Sequence, residues 1–249
     1  MIEYHIRHIQ RIQLGTSYPK ITDMIIDALK ATSGGTLSID ETGVGKPVID
    51  MFWEKGLTPF GITITGVGQA TNKAKKVLKD NGMFITPSVR DQYTWSIPKR
   101  DLVADISICL QNHILKIASS LPEHKTLINE LMNFKVTISQ KGHDSYEAWR
   151  EGIHDDMVLA TALALWTAIH IGGGNGFFFG LDLGQTNDYT ALCIIQRKEQ
   201  EKKPLRLPDP IPSTVPEIFY EKTRVRSPLD AIRENTTGGS DIIDLPSLW

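Results

Sequence analysis

The sequence predicts an α/β fold in which helices flank a mixed β-sheet, and two observations carry that prediction. Between residues 2 and 66 the hydrophobic pattern alternates between strand and helix periods, reading strand, helix, strand, helix, strand. Nearer the other end, Gly180-Leu181-Asp182-Leu183-Gly184 reads as a buried strand carrying one carboxylate, then a glycine-assisted turn. A second strand follows, holding Ala191–Gln196.

Taken in order, residues 2–13 alternate with β-branched side chains at period 2, which predicts a strand. Pro19 opens a helix to about Ala31 whose stripe is Ile21, Met24, Ile25, Ala28 and Leu29, and Ser33-Gly34-Gly35 ends it. Thr36–Asp40 is a short strand ending on an acid. Glu41-Thr42-Gly43-Val44-Gly45-Lys46-Pro47 leads into a helix through about Lys55, and residues 59–66 form a further strand. A polar stretch with Lys73, Lys75, Lys76 and Lys79 predicts a loop or hairpin. Pro98-Lys99-Arg100-Asp101 begins a helix to about Asn112, striped by Leu102, Val103, Ile106 and Leu110. Leu115–Ile117 is a short strand, Pro122 starts a helix through Met132, and Phe134–Ile138 alternates as a strand. Polar residues 142–156 run into an apolar helix from Met157 to His170, and residues 171–176 form a glycine-rich connector. After Arg197 the chain turns polar and proline-rich, so the expected division is a domain over 1–198 and an extension or long loop, partly disordered, over 199–249.

A chain of 249 residues can bury a full core as one large or two small domains. Its 27 Lys and Arg against 29 Asp and Glu create no global basic field, although a local basic groove remains compatible with nucleic acid. Cys109 and Cys193 lie in apolar runs and read as buried free thiols. The first residues lack the pattern of a signal peptide and no apolar run has the ~20 residues of a membrane span. A cytoplasmic protein is expected.

Three acids stand at the ends of apolar elements: Asp182 in a strand, Asp40 at a strand's C-terminal end, and Asp155 or Asp156 at a helix start. In an α/β sheet, strand C-terminal ends and helix N-termini gather on one edge, where sites form. Carboxylates gathered there repel one another unless hard cations neutralise them, and Mg2+ or Mn2+ suits all-oxygen ligands. Two such ions ~4 Å apart can activate water and stabilise the leaving oxygen of a phosphodiester. Each acid alone has a plainer explanation. Asp155 could be an N-cap and Asp40 a turn former, whereas Asp182 amid Phe177-Phe178-Phe179-Gly180-Leu181 needs a partner or a cation. His143, Asp144, His154 and Asp155 could suggest zinc, but neither an HExxH pattern nor a cysteine pair supports it. Gly43-Val44-Gly45-Lys46-Pro47 lacks the spacing of a P-loop. Lys99 and Arg100 at a helix N-terminus, and Lys73, Lys75 and Lys76, could contact DNA phosphates. Trp149 reads as packing.

Four stretches together resemble the nuclease domain of phage terminase large subunits, members of the RNase H-like (retroviral integrase) superfamily. They are Leu37–Asp50, Ile97–Leu102, Tyr146–Ala160 and Gly180–Leu192, and the resemblance covers roughly residues 1–198. It implies an endonuclease that cuts double-stranded DNA during genome packaging with two Mg2+ or Mn2+ ions, leaving 5′-phosphate and 3′-hydroxyl ends. By the same resemblance Asp182 is the first-strand acid, Asp40 the middle acid and Asp155 the last, with Asp156 a close alternative and Asp188 or Glu41 assisting. The family's first-strand motif should lead the domain, yet here it follows the last helix. The order therefore looks circularly permuted, with Gly172–Gly176 bridging the old ends, and the strand of Asp182 is expected mid-sheet, paired with the first strand of the chain through Ala191–Gln196. The packaging ATPase of the family is absent from this sequence. A separate packaging ATPase or a portal is an expected partner, and a phage-encoded chain would act in the host cytoplasm. The rival readings are a Holliday-junction resolvase of the same superfamily, a DNA-binding module that does not cleave, and an actin-like ATPase or sugar kinase. The last needs a second similar half and a glycine-rich adenosine site, for which the chain has little room.

Overall fold

The computed structural model describes residues 1–76, 87–134, 155–184 and 188–199, together with the backbone of a short strand at 242–243. The strands are β1 (Ile2–Ile12), β2 (Thr36–Asp40), β3 (Phe60–Thr65), β4 (Thr71–Asn72), β5 (Thr94–Pro98), β6 (Leu115–Ala118), β7 (Gly176–Asp182), β8 (Thr190–Glu199) and β9 (Ile242–Ile243). The helices are α1 (Tyr18–Ala31), α2 (Gly45–Glu54), α3 (Val89–Gln92), α4 (Lys99–Gln111), α5 (His124–Asn133) and α6 (Asp156–His170).

All nine strands lie in one mixed sheet of order β4-β5-β3-β2-β7-β8-β1-β6-β9. At its centre, β7, β8 and β1 form an antiparallel meander, while β2, β3 and β5 add on in parallel beyond β7. The strand of Asp182 is thus central and is linked to the first strand through β8. Ile2 and Glu199 are register partners across β1 and β8, so the start of one strand lies beside the end of the other.

Helices cover the sheet on both faces, as the two buried clusters show. On one face Ile21, Ile25 and Leu29 of α1 and Val48, Ile49 and Phe52 of α2 pack on Leu37, Ile39, Phe179 and Leu181. On the other, α4, α5 and α6 pack on Tyr4, Ile6, Ile62, Phe178 and Ile195. Helix α6 is buried along almost its whole length, from Asp156 to Ala168, because it lies between the sheet and α4 and α5. That placement explains its all-round apolar sequence. Its approach to β7 is close: a methyl group built on Gly180 would stand 2.0 Å from the carbonyl oxygen of Ala160 and 2.6 Å from the nitrogen of Ala164. Gly180→Ala must push helix and sheet apart and is expected to lose about 1–3 kcal/mol of stability, read from the urea midpoint.

Several details differ from the expectation. Helix α5 begins at His124 rather than Pro122, because Pro122 and Glu123 belong to a turn, where the His124 nitrogen donates to the Leu121 carbonyl. The lysine stretch opens on β4, which pairs antiparallel with β5. The tail contributes β9, which pairs with β6. The predicted strand at 134–138 falls, beyond Phe134, outside the described residues, as do Lys79, His143, Asp144, Trp149 and His154. Cys109 and Cys193 are buried free thiols, and burial pushes each up to about 12. Among the described residues no helix is long and apolar enough to cross a membrane.

Candidate metal and nuclease centre

Two adjacent parallel strands bring the first two acids together. Ile39 of β2 is the register partner of Leu181 of β7, so Asp40 and Asp182, the next residue of each, end neighbouring strands side by side. Period 2 fixes their common face. Leu37, Ile39, Phe179 and Leu181 point into the α1–α2 core, so Asp40 and Asp182 point the other way, toward α6. The N-terminus of α6 then delivers Asp155 and Asp156 to the same edge.

The fields among these groups record the convergence. Burial, first, and then the charges of Asp40, Asp155, Asp156 and Asp188 hold the Asp182 carboxyl well above the usual carboxylate range. Among the described residues no side chain donates a hydrogen bond or a salt bridge to Asp182. Asp40 is also raised, chiefly by burial, against the opposing effect of the Thr42 backbone and hydroxyl hydrogen bonds. Those bonds, 2.9 Å from Thr42 N and 2.8 Å from its Oγ1, make Asp40 the turn former as well as a cluster acid. Gly45 is required there, since its Cβ would lie 1.9 Å from the Asp40 carbonyl oxygen. The glycines of 43–45 thereby serve the turn over Asp40.

Asp155 stands at the N-cap position of α6 without capping it. Its side chain makes no capping bond; it is paired instead with Lys99 Nζ at 2.9 Å. The start of α6 is capped from another helix: Glu130 Oε2 on α5 accepts from the backbone nitrogens of Met157 and Val158 at 3.1 and 3.2 Å. Arg11 of β1 binds the other oxygen of Glu130 at 2.5 Å and places Nε 3.1 Å from Asp156 Oδ2, an ion pair rather than an aligned hydrogen bond. The Arg11 guanidinium also stacks 4.9 Å from the centroid of the Tyr189 ring. Burial pushes the Glu130 carboxyl up to about 7 in spite of Arg11. Sequence reading missed this pair. A glutamate on the buried stripe of α5, between Leu127 and Leu131, was the available signal.

The other expected residues are distributed around the cluster. Asp188 lies against Gly184, whose nitrogen donates to Thr190 Oγ1 at 3.1 Å and whose missing side chain leaves room for the Asp188 carbonyl. Glu41 points away, along β3, where its carboxylate packs on Gly61 and accepts from Thr63 Oγ1 at 2.5 Å. It forms part of a separate groove of about 1160 Å3 that none of the cluster acids lines and that includes Lys46, Lys73, Lys75, Lys76 and Arg90. In this groove Lys73 is paired with Asp91 and Arg90 with Asp50, while Lys75 and Lys76 remain outward. Arg100 braces the turn after β3 through the Gly68 carbonyl at 2.7 Å. Lys99 is drawn into the acid cluster. Among the described residues no three acidic, histidine or cysteine side chains stand in an arrangement that could already hold a metal ion.

Comparison with family models, with curated proteins and with solved structures finds no match for this chain.

Proposed function

We propose that this chain is a metal-dependent endonuclease that hydrolyses DNA phosphodiesters, with Asp182, Asp40 and Asp155 as the ligands of two Mg2+ or Mn2+ ions. The observation that carries the reading is the half-buried Asp182 carboxyl at the sheet's edge, in the field of Asp40, Asp155, Asp156 and Asp188 and offered no cation by any described residue. The donor set is anionic and all-oxygen, which fits hard divalent cations. Bound there, the ions would supply Lewis-acid activation of water and neutralise charge on the leaving oxygen. The chain's own residues do the rest. Thr42 fixes the rotation of Asp40, Glu130 and Arg11 hold the start of α6 and its acids in place, and the basic groove takes the DNA backbone.

The order of the central strands supports an RNase H-like sheet. An antiparallel meander, β7-β8-β1, is followed through α1 by β2 on the far side of β7 and then by β3. The side-by-side ends of β8 and β1 support a permuted order, since a short hairpin there would restore a chain that begins at β7. Within that class the motifs around Asp40, Lys99, Asp155 and Asp182 favour a terminase-like nuclease, working with a separate packaging ATPase or portal.

Incubation of supercoiled plasmid with the protein and Mg2+ or Mn2+ tests the reading. Nicked and linear products bearing 5′-phosphates are expected; intact plasmid in both metals overturns the reading. The groove is tested separately by Lys75→Ala combined with Lys76→Ala. Loss of two phosphate contacts is expected to weaken duplex binding and to reduce the slope of log K against log salt by about 2.

A further inference from the structure

We infer that Lys99 is a built-in counter-cation of the acid cluster, which pairs with Asp155 in the metal-free protein and competes with a divalent cation for that carboxylate. The inference rests on the metal-site reading above and adds a residue that sets the affinity of that site. Lys99 is the first residue of α4, directly after β5 ends at Pro98, so the strand-to-helix turn fixes where its side chain starts. The ammonium lies 2.9 Å from Asp155 Oδ2 and 5.6 Å from the centroid of the Phe134 ring. The pair is sheltered, with side-chain exposures of 13% for Lys99 and 25% for Asp155. Asp40 also feels the Lys99 charge. One monovalent cation is thereby placed on one of the three expected ligands and within electrostatic reach of a second, held by aromatic and carboxylate contacts.

Lys99 is paired with Asp155 Oδ2 alone, so a divalent ion entering through the other oxygen would share one carboxylate with a second positive charge. Metal binding to Asp155 therefore includes the work of repelling the Lys99 ammonium, and the metal-free cluster is spared the full repulsion of its acids. A phosphate arriving with the metal offers the displaced ammonium a new anionic partner. A purely structural salt bridge predicts the opposite consequence for a neutral variant, since loosening α4 and Asp155 would weaken the metal site.

The sign of the change in metal affinity separates these cases. Mn2+ is titrated by calorimetry into the whole chain, into Lys99→Met, into Lys99→Arg and into Asp182→Asn. Lys99→Met is expected to bind Mn2+ about twofold to fivefold more tightly than the parent, the scale of a partly exposed ion pair that no longer competes. Lys99→Arg should remain close to the parent. Without metal, Lys99→Met should melt at a lower temperature and gain more from added Mg2+. Equal or weaker Mn2+ binding by Lys99→Met, with parent binding that depends on Asp182, overturns the role of Lys99 and leaves the metal site standing. No Mn2+ binding by the parent, or binding indifferent to Asp182→Asn, overturns both. Should Lys99→Met fail to fold, the Lys99 side-chain nitrogen resonance of the parent must move on addition of Mg2+, and an unmoved resonance overturns the inference.

Discussion

Asp182→Asn is expected to abolish metal-dependent DNA cleavage while making the metal-free protein more stable. Cleavage should fall by about a thousandfold or more, because Asp182 belongs to a ligand set that works as a unit. Stability should rise by about 1–2 kcal/mol, the usual gain when a functional site is relieved of an unfavourable charge. Asparagine keeps the shape, removes the charge that Asp40, Asp155, Asp156 and Asp188 repel, and can donate to one of them. The pH dependence follows the same cause. Asp182 and Asp40 are raised above 3.8, and Glu130 is raised from 4.5 to about 7, so the folded protein holds these protons more tightly than the unfolded chain. Their contribution to stability is complete below the unfolded carboxylate range and is lost as the pH climbs through the folded values, up to about 7 for Glu130. The melting temperature of the metal-free protein should therefore fall between about pH 5 and pH 8, and fall less steeply in Asp182→Asn. A variant less stable than the parent at neutral pH would contradict the account of an uncompensated, half-buried acid.

Arg11→Met should be the most destabilising single change near the centre. Glu130 and Asp156 are almost fully buried, with side-chain exposures of 6% and 3%, and Arg11 stands beside both. Removing the guanidinium leaves two acids facing each other in the core at the start of α6. Breaking a buried ion pair from one side costs about 3–5 kcal/mol, which the shift in urea midpoint would report. Glu130→Gln offers the contrast. Its amide oxygen can still accept from Met157 and Val158, so a loss of about 1 kcal/mol is expected. Equal losses in the two variants would show that Arg11 serves packing rather than charge.

The sheet and most of its helices were legible because their burial follows one simple period each. The stripe of α1, the alternation of β1 and the apolar runs of β7 and β8 are local patterns, and the side of the sheet faced by Asp40 and Asp182 follows from counting by two. What escaped was short or long-range. Strands of two residues, β4 and β9, carry no period, and Pro122 looks like a helix start until the Leu121 turn is seen. Whether Asp155 caps its helix with its side chain could not be read either, because position alone cannot reveal that Glu130, on another helix, already holds those nitrogens. Likewise Lys99 read as a phosphate contact, since nothing in Pro98-Lys99-Arg100 announces an aspartate 56 residues away.

The central claim is that divalent ions bind where Asp182, Asp40 and Asp155 meet. Crystals soaked in Mn2+ and measured at the manganese absorption edge test it directly. The account predicts anomalous peaks within bonding distance of the Asp182 carboxylate, with Asp40 and Asp155 or Asp156 as further ligands, and none there in Asp182→Asn. Peaks confined to other surfaces, or no peak near Asp182 at saturating Mn2+, would contradict it.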